Sequence, residues 1–211
     1  MARDQVVLVH GLWMRGLEFG PMRGRLQRAH GYDVHVFSYP TLRGDADAIC
    51  DDLARCADRA AQAGPVHFVG HSLGGTFVHR LLARDPGRYG GNAVVLGSPL
   101  AGCRAAEGVM RWRLLKPVIG PHLEAEITAP PQRCWSGPGA LGSIAGTRRA
   151  GAGQLFARFE ESHDGTVAVR ETRIPGLDDH LEVAHGHMGL VFARDVTDQV
   201  AHFLRHGRFQ R

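Results

Sequence analysis

Apolar residues along the chain fall into two kinds of run that alternate. Gln5–His10, Asp33–Phe37, Val66–Val69 and Ala93–Leu96 are short, largely apolar blocks, the pattern of strands buried on both faces of a parallel sheet. Glu18–His30 closed by Gly31, Asp45–Ala63 ended by Gly64-Pro65, and Leu73–Asp85 are longer and mixed, and predict helices with one apolar side. Strand followed by helix, repeated, implies an α/β fold with a mostly parallel central sheet and helices on both faces. Regular structure is predicted again at Gly139–Ala145 and Thr166–Glu171. A short strand near Leu181 and a final helix to about Phe203, with apolar positions at Val191, Val196 and Val200, close the pattern.

Between Ala101 and Gly137 the alternation breaks down. Pro117, Pro121, Pro130, Pro131 and Pro138 preclude long helices, and large apolar residues are interleaved with Arg111, Arg113 and Lys116. Ligands of open α/β sheets bind at the C-terminal ends of the strands, so residues 101–137 are predicted to form a short cap or lid there. Met110, Trp112 and Leu115 would then touch substrate. A surface loop with its apolar residues turned inward is the competing expectation.

A chain of 211 residues suffices for one substantial core, and residues 1–211 are expected to form one domain. Lys+Arg exceeds Asp+Glu by 25 to 21, but the basic residues are almost all arginine and scattered, with no aromatic-basic cluster, so nucleic acid is not an expected partner. Transient attraction to an anionic lipid surface is. No apolar run approaches the roughly 18 residues that span a bilayer, and no apolar signal region precedes the first strand, so the chain reads as cytoplasmic. Of the four cysteines, Cys50 and Cys56 face different sides of a predicted helix; Cys103 and Cys134 could meet, although free thiols are the default in a reducing compartment. No histidine or cysteine spacing suggests a metal site, and no cofactor is implied.

Chemistry concentrates at Gly70-His71-Ser72-Leu73-Gly74, between a predicted strand and a predicted helix. A serine at such a turn takes up a strained backbone, and its neighbours two before and two after must be small because strand and helix nearly touch. The helix start presents unpaired N–H groups to an oxygen that becomes negative. A hydroxyl is a weak nucleophile without a base. The C-terminal Leu181–Leu190 segment offers His187, just before the last helix, with His185 and His180 as alternatives. Asp164, in the turn Ser162-His163-Asp164-Gly165-Thr166-Val167, is the candidate acid, and Asp178 and Asp179 compete with it from a turn that looks solvated.

Together with Val6-Val7-Leu8-Val9-His10-Gly11-Leu12-Trp13, these motifs resemble the α/β-hydrolase lipases and esterases. They look most like small bacterial lipases with a His-Gly oxyanion motif and like hydrolase domains related to the inositol deacylases of lipid anchors. Only Met1 to Asp4 precede the His-Gly strand, so the resemblance is to a minimal α/β-hydrolase fold. It implies Ser72 as nucleophile, His187 as base, Asp164 as acid, and the backbone N–H groups of Leu12 and Leu73 as the oxyanion hole. Trp13, His71 and Met188, beside the motif residues, join Met110, Trp112 and Leu115 as expected substrate contacts. The implied activity is hydrolysis of a small-molecule or lipid carboxylic ester through an acyl-enzyme. Acyl transfer, thioester hydrolysis and non-catalytic binding on the same scaffold are the alternatives.

Overall fold

The computed structural model describes residues 3–43, 45–105, 133–150, 159 and 161–211. Its sheet contains β1 (Gln5–Val9), β2 (Asp33–Phe37), β3 (Val66–His71), β4 (Gly90–Leu96), β5 (Leu141–Gly146) and β6 (Asp179–Val183), in spatial order β2-β1-β3-β4-β5-β6. All neighbouring pairs are parallel, which requires a crossover between successive strands. The helices α1 (Gly20–His30), α2 (Ala46–Ala61) and α3 (Leu73–Arg84) supply the first three; α4 (Gly189–Phe192) and α5 (Arg194–His206) follow β6.

The period of two along each strand divides the core into two layers. Val7 and Val9 of β1 join Ile49, Leu53, Phe77 and Leu81 of α2 and α3 on one face. Val6 and Leu8 join Met22, Leu26, Val196, Val200 and Phe203 of α1 and α5 on the other. Both faces are covered, so the strands read as continuous apolar blocks. Each fully buried side chain of this size contributes about 1.5–3 kcal/mol.

From β1 the chain passes outward to β2, then returns across β1 to β3 and continues the other way. The helix leaving β1 lies on one face of the sheet and the helix leaving β3 on the opposite face. This reversal opens a crevice between the C-terminal ends of β1 and β3, the place where such sheets bind ligands.

Three expected elements differ in detail. The first helix begins at Gly20, after a 3-10 turn at Leu17–Phe19, because Pro21 has no N–H and is tolerated only in a first helical turn. Thr166–Glu171, where regular structure is expected, holds an isolated bridge, His163 to Ala168, and most of a 3-10 turn at Val169–Thr172. Side chains take up the amides a ladder would use: Asp164 accepts from Thr166 and Val167, and Glu171 from Ala168. The last helix is broken at Ala193, whose extended backbone (φ −71°, ψ 135°) separates α4 from α5.

Met110, Trp112 and Leu115, with most of the expected cap, lie outside the described residues. Cys103 and Cys134 are free thiols, as are Cys50 and Cys56. Among the described residues no helix is long and apolar enough to cross a membrane.

Candidate active site

Ser72 joins β3 to α3 with φ 53° and ψ −125°, a backbone conformation that costs a non-glycine residue of order 1–3 kcal/mol. The surrounding glycines make the turn possible by close approach. A Cβ on Gly70 would lie 2.4 Å from Gly75 Cα, and one on Gly74 would lie 2.2 Å from the Val9 carbonyl oxygen. The turn is tied to the neighbouring strand by the Ser72 N–H, which donates to the Leu96 carbonyl at 2.9 Å. Leu73 opens α3, so its N–H belongs to the first turn, whose amides have no partner within the helix.

The structure brings Asp164 and His187 together at the same edge of the sheet. Asp164 is 1% exposed, and its Oδ2 lies 2.6 Å from His187 Nδ1. Its other oxygen, Oδ1, accepts the N–H groups of Thr166 and Val167, each at 2.8 Å. Burial alone would raise the Asp164 pKa; the His187 charge, the His187 hydrogen bond and the two backbone amides outweigh it and hold the carboxyl below the usual carboxylate range. An ionised carboxylate only accepts, so His187 carries a proton on Nδ1, which places the lone pair of its neutral form on Nε2. The His187 N–H also donates to the Asp164 carbonyl at 2.9 Å. Gly97, at the end of β4, leaves room for the pair: a Cβ there would stand 2.9 Å from Asp164 Oδ2 and 3.1 Å from His187 Nδ1.

The His10-Gly11-Leu12 segment runs beside the nucleophile. A Cβ on Gly11 would meet Ser72 Cβ at 3.0 Å. His10 is buried and stacked on Tyr39, with ring centroids 4.4 Å apart. The Tyr39 N–H donates to His10 Nε2 at 3.2 Å, so the ring proton is on Nδ1, which donates to the Gly11 carbonyl at 3.0 Å. Burial keeps the imidazole pKa low and this neutral tautomer in place. Across a trans peptide the N–H points away from the C=O, so drawing the Gly11 oxygen toward His10 turns the Leu12 N–H to the opposite side.

A strained serine turn, a buried Asp–His pair and a His-Gly segment on one sheet edge are accompanied by a sequence-profile match over residues 6–208 to the group described as "Alpha/beta hydrolase family". The chain belongs to the alpha/beta hydrolase family. Its fold is similar to that of the mature lipase BlEst2 of Bacillus licheniformis, with TM-score 0.70 and 17% identity over 98% of this chain and 92% of that one. A thermophilic esterase from Thermogutta terrifontis, solved with malate, gives 0.67 and 15% over 96% and 90%. A metagenomic carboxyl esterase gives 0.65 and 19% over 89% of this chain and 65% of that one. No curated protein matches the chain in sequence.

Within this hydrolase fold the competing acids and bases of the sequence reading lie or point elsewhere. Asp178 and Asp179 stand at the start of β6, the opposite edge of a parallel sheet from Ser72. They do not occupy a merely solvated turn: Asp178 accepts the Leu141 N–H, and Asp179 accepts the Phe209 N–H and pairs with Arg211. His180 donates to Thr172 Oγ1, and burial pushes its pKa down to about 4. His185 turns to Asp195, 2.9 Å away. His71 is fully buried, while Trp13 and Met188 are exposed. Gly97 and the ring of His10 were not singled out by the sequence. A glycine closing an apolar strand was the available signal for the first; the second acts through a partner, Tyr39, 29 positions away.

Proposed function

We propose that this alpha/beta hydrolase cleaves carboxylic esters through an acyl-enzyme, with Ser72 as nucleophile, His187 as general base and Asp164 as the acid that orients it. The observation that carries the reading is the buried 2.6 Å contact between His187 and Asp164 at the sheet edge where Ser72 is held in a strained turn. Ser72 Oγ attacks the ester carbonyl as its proton passes to His187 Nε2. The tetrahedral oxyanion is received by the N–H groups of Leu12 and Leu73, and its collapse breaks the bond to the alcohol, which takes the proton from His187. Water then repeats the sequence and frees the acid. Asp164 stays ionised throughout and stabilises the imidazolium.

The substrate we infer is an ester with an apolar acyl group. The exposed large apolar side chains among the described residues are Trp13, Leu17, Leu42, Met188 and Phe192. All lie on segments that leave the C-terminal ends of β1, β2 and β6, the edge that carries Ser72. Arg15 and Arg43 are exposed among them. This combination suits transient contact with an anionic lipid surface, to which each cation contributes about 1 kcal/mol.

A panel of p-nitrophenyl esters from acetyl to palmitoyl, run with wild type and Ser72→Ala, tests the reading. Turnover that vanishes in Ser72→Ala and favours medium or long chains is expected. Turnover that survives in Ser72→Ala would sink the mechanism, and a strict preference for acetyl would sink the substrate assignment.

A further inference from the structure

His71 ends β3, directly before Ser72, and is fully buried. Its Nε2 lies 3.1 Å from the backbone oxygen of His187. A carbonyl only accepts, so Nε2 carries the ring proton and Nδ1 is a bare acceptor, which is buried and has no hydrogen-bond partner. The groups that face the ring electrostatically are His187, Asp164 and His10; burial first, then the His187 charge, push its pKa down to about 3. The neutral tautomer therefore persists wherever the protein is folded and working. An apolar side chain would fill this slot without stranding an acceptor. The histidine contributes one thing such a side chain lacks, the donor on Nε2.

That donor acts on the loop that delivers His187. His187 sits between β6 and α4, and both of its backbone groups are held: its N–H by the Asp164 carbonyl at 2.9 Å, its C=O by His71. The two imidazoles lie 4.7 Å apart, tilted by 45°. We propose that His71 is a positioning residue whose Nε2–H bond to the His187 carbonyl ties the base to the strand that carries the nucleophile. The proposal rests on the reading of Ser72 and His187 as nucleophile and base. One contact ties the base backward to its acid and the other ties it forward to the residue beside the serine. A neutral ring at this distance also adds no repulsion when His187 becomes an imidazolium, as a cation would.

Two variants separate the donor from the packing. Gln places an amide N–H the same number of bonds from Cβ as His Nε2, whereas Leu fills the slot without a donor. Turnover of a p-nitrophenyl ester is measured for His71→Gln and His71→Leu, normalised to sites titrated with a fluorophosphonate so that misfolded protein is not counted. His71→Leu is expected to lower kcat about 10- to 100-fold with KM nearly unchanged, the scale of a misplaced catalytic group. His71→Gln is expected to recover most of that loss and to keep the wild-type midpoint of the acid limb of kcat/KM. Equal kcat in the two variants, or KM rising together with the fall in kcat, would reduce His71 to packing. A displaced acid limb in His71→Gln would make His71 itself the titrating group and overturn the proposal. Ser72→Ala and His187→Ala run alongside distinguish the failures: if either is active, the nucleophile–base reading falls first, and if both are dead while His71→Leu turns over normally, only the tether falls.

Discussion

At Asp164, desolvation and hydrogen bonding act in opposite directions on one carboxyl group. Burial favours the acid, while His187 and two backbone amides favour the carboxylate, and the carboxylate wins. Asp164→Asn removes the charge and offers an amide that can donate, which frees His187 to take the wrong tautomer. A fall in kcat of about 10⁴ is expected, as in a well-studied triad, with Asp178→Asn near wild type in kcat; full turnover in Asp164→Asn would move the acid elsewhere. Gly97→Ala would place a methyl group against both Asp164 Oδ2 and His187 Nδ1, and misplacement on that scale costs about 10² in rate. Steady-state kinetics showing an unchanged kcat in Gly97→Ala would contradict the packing of the pair over β4. As candidates, Ser72, Asp164 and His187 stood out in the sequence because each sits in a short local motif. Its place just before the last helix favoured His187 over His185, only two positions away, but no local signal showed that the one ring faces Asp164 and the other Asp195. The tautomers of His10 and His71 were hidden for the same reason, since each is set by a backbone group brought in from another strand or loop.

Elements were legible where a single physical cause sets them. Asp45 ends a polar run and caps α2, its Oδ2 accepting the N–H groups of Asp47 and Ala48. Asp45→Ala is expected to cost about 1 kcal/mol, or about 2–4 °C in a chain of this size, with kcat unchanged; a calorimetric scan showing no shift would mean that the cap contributes nothing. The elbow is less forgiving. Gly74→Ala sets a methyl group 2.2 Å from a carbonyl oxygen of β1, where neither backbone can yield without moving the sheet. A loss beyond the usual 1–3 kcal/mol of overpacking is expected, seen as a melting temperature lowered by more than about 5 °C or as insoluble protein. Strand cores were readable from apolar content, whereas their ends were not: β3 runs on through Gly70 and His71, and β4 begins at Gly90, because pairing with neighbours already in place extends a strand past its apolar residues. The break at Ala193 carries no local sequence signal. Alanine favours helix, and the extended conformation there serves the docking of α4 and α5 rather than any preference of the residue itself.

Across the whole molecule, the parallel sheet gathers segments remote in sequence beyond the C-terminal ends of its strands, where Gly11 stands against Ser72 and Gly97 against Asp164 and His187. Burial of imidazoles on several strands and loops also makes the fold sensitive to acid. His10, His67, His71, His163 and His180 all have folded-state pKa values pushed below the ordinary 6.5, first by desolvation. Above pH 6.5 neither the folded nor the unfolded chain takes a proton at these sites. Below it the unfolded chain does and the folded chain resists, so stability falls as the pH drops from 6.5 toward each folded-state value. Urea midpoints are expected to stay level above about pH 6.5 and to drop from there to about pH 4.5, and midpoints that stay level throughout would refute the buried neutral state. The central claim, that this edge is a serine hydrolase machine, is tested most directly by intact-mass measurement after exposure to a fluorophosphonate. One adduct, mapped to Ser72, absent in Ser72→Ala and formed far more slowly in His187→Ala, is the expected result; an unlabelled wild type, or a label that persists in Ser72→Ala, would contradict it.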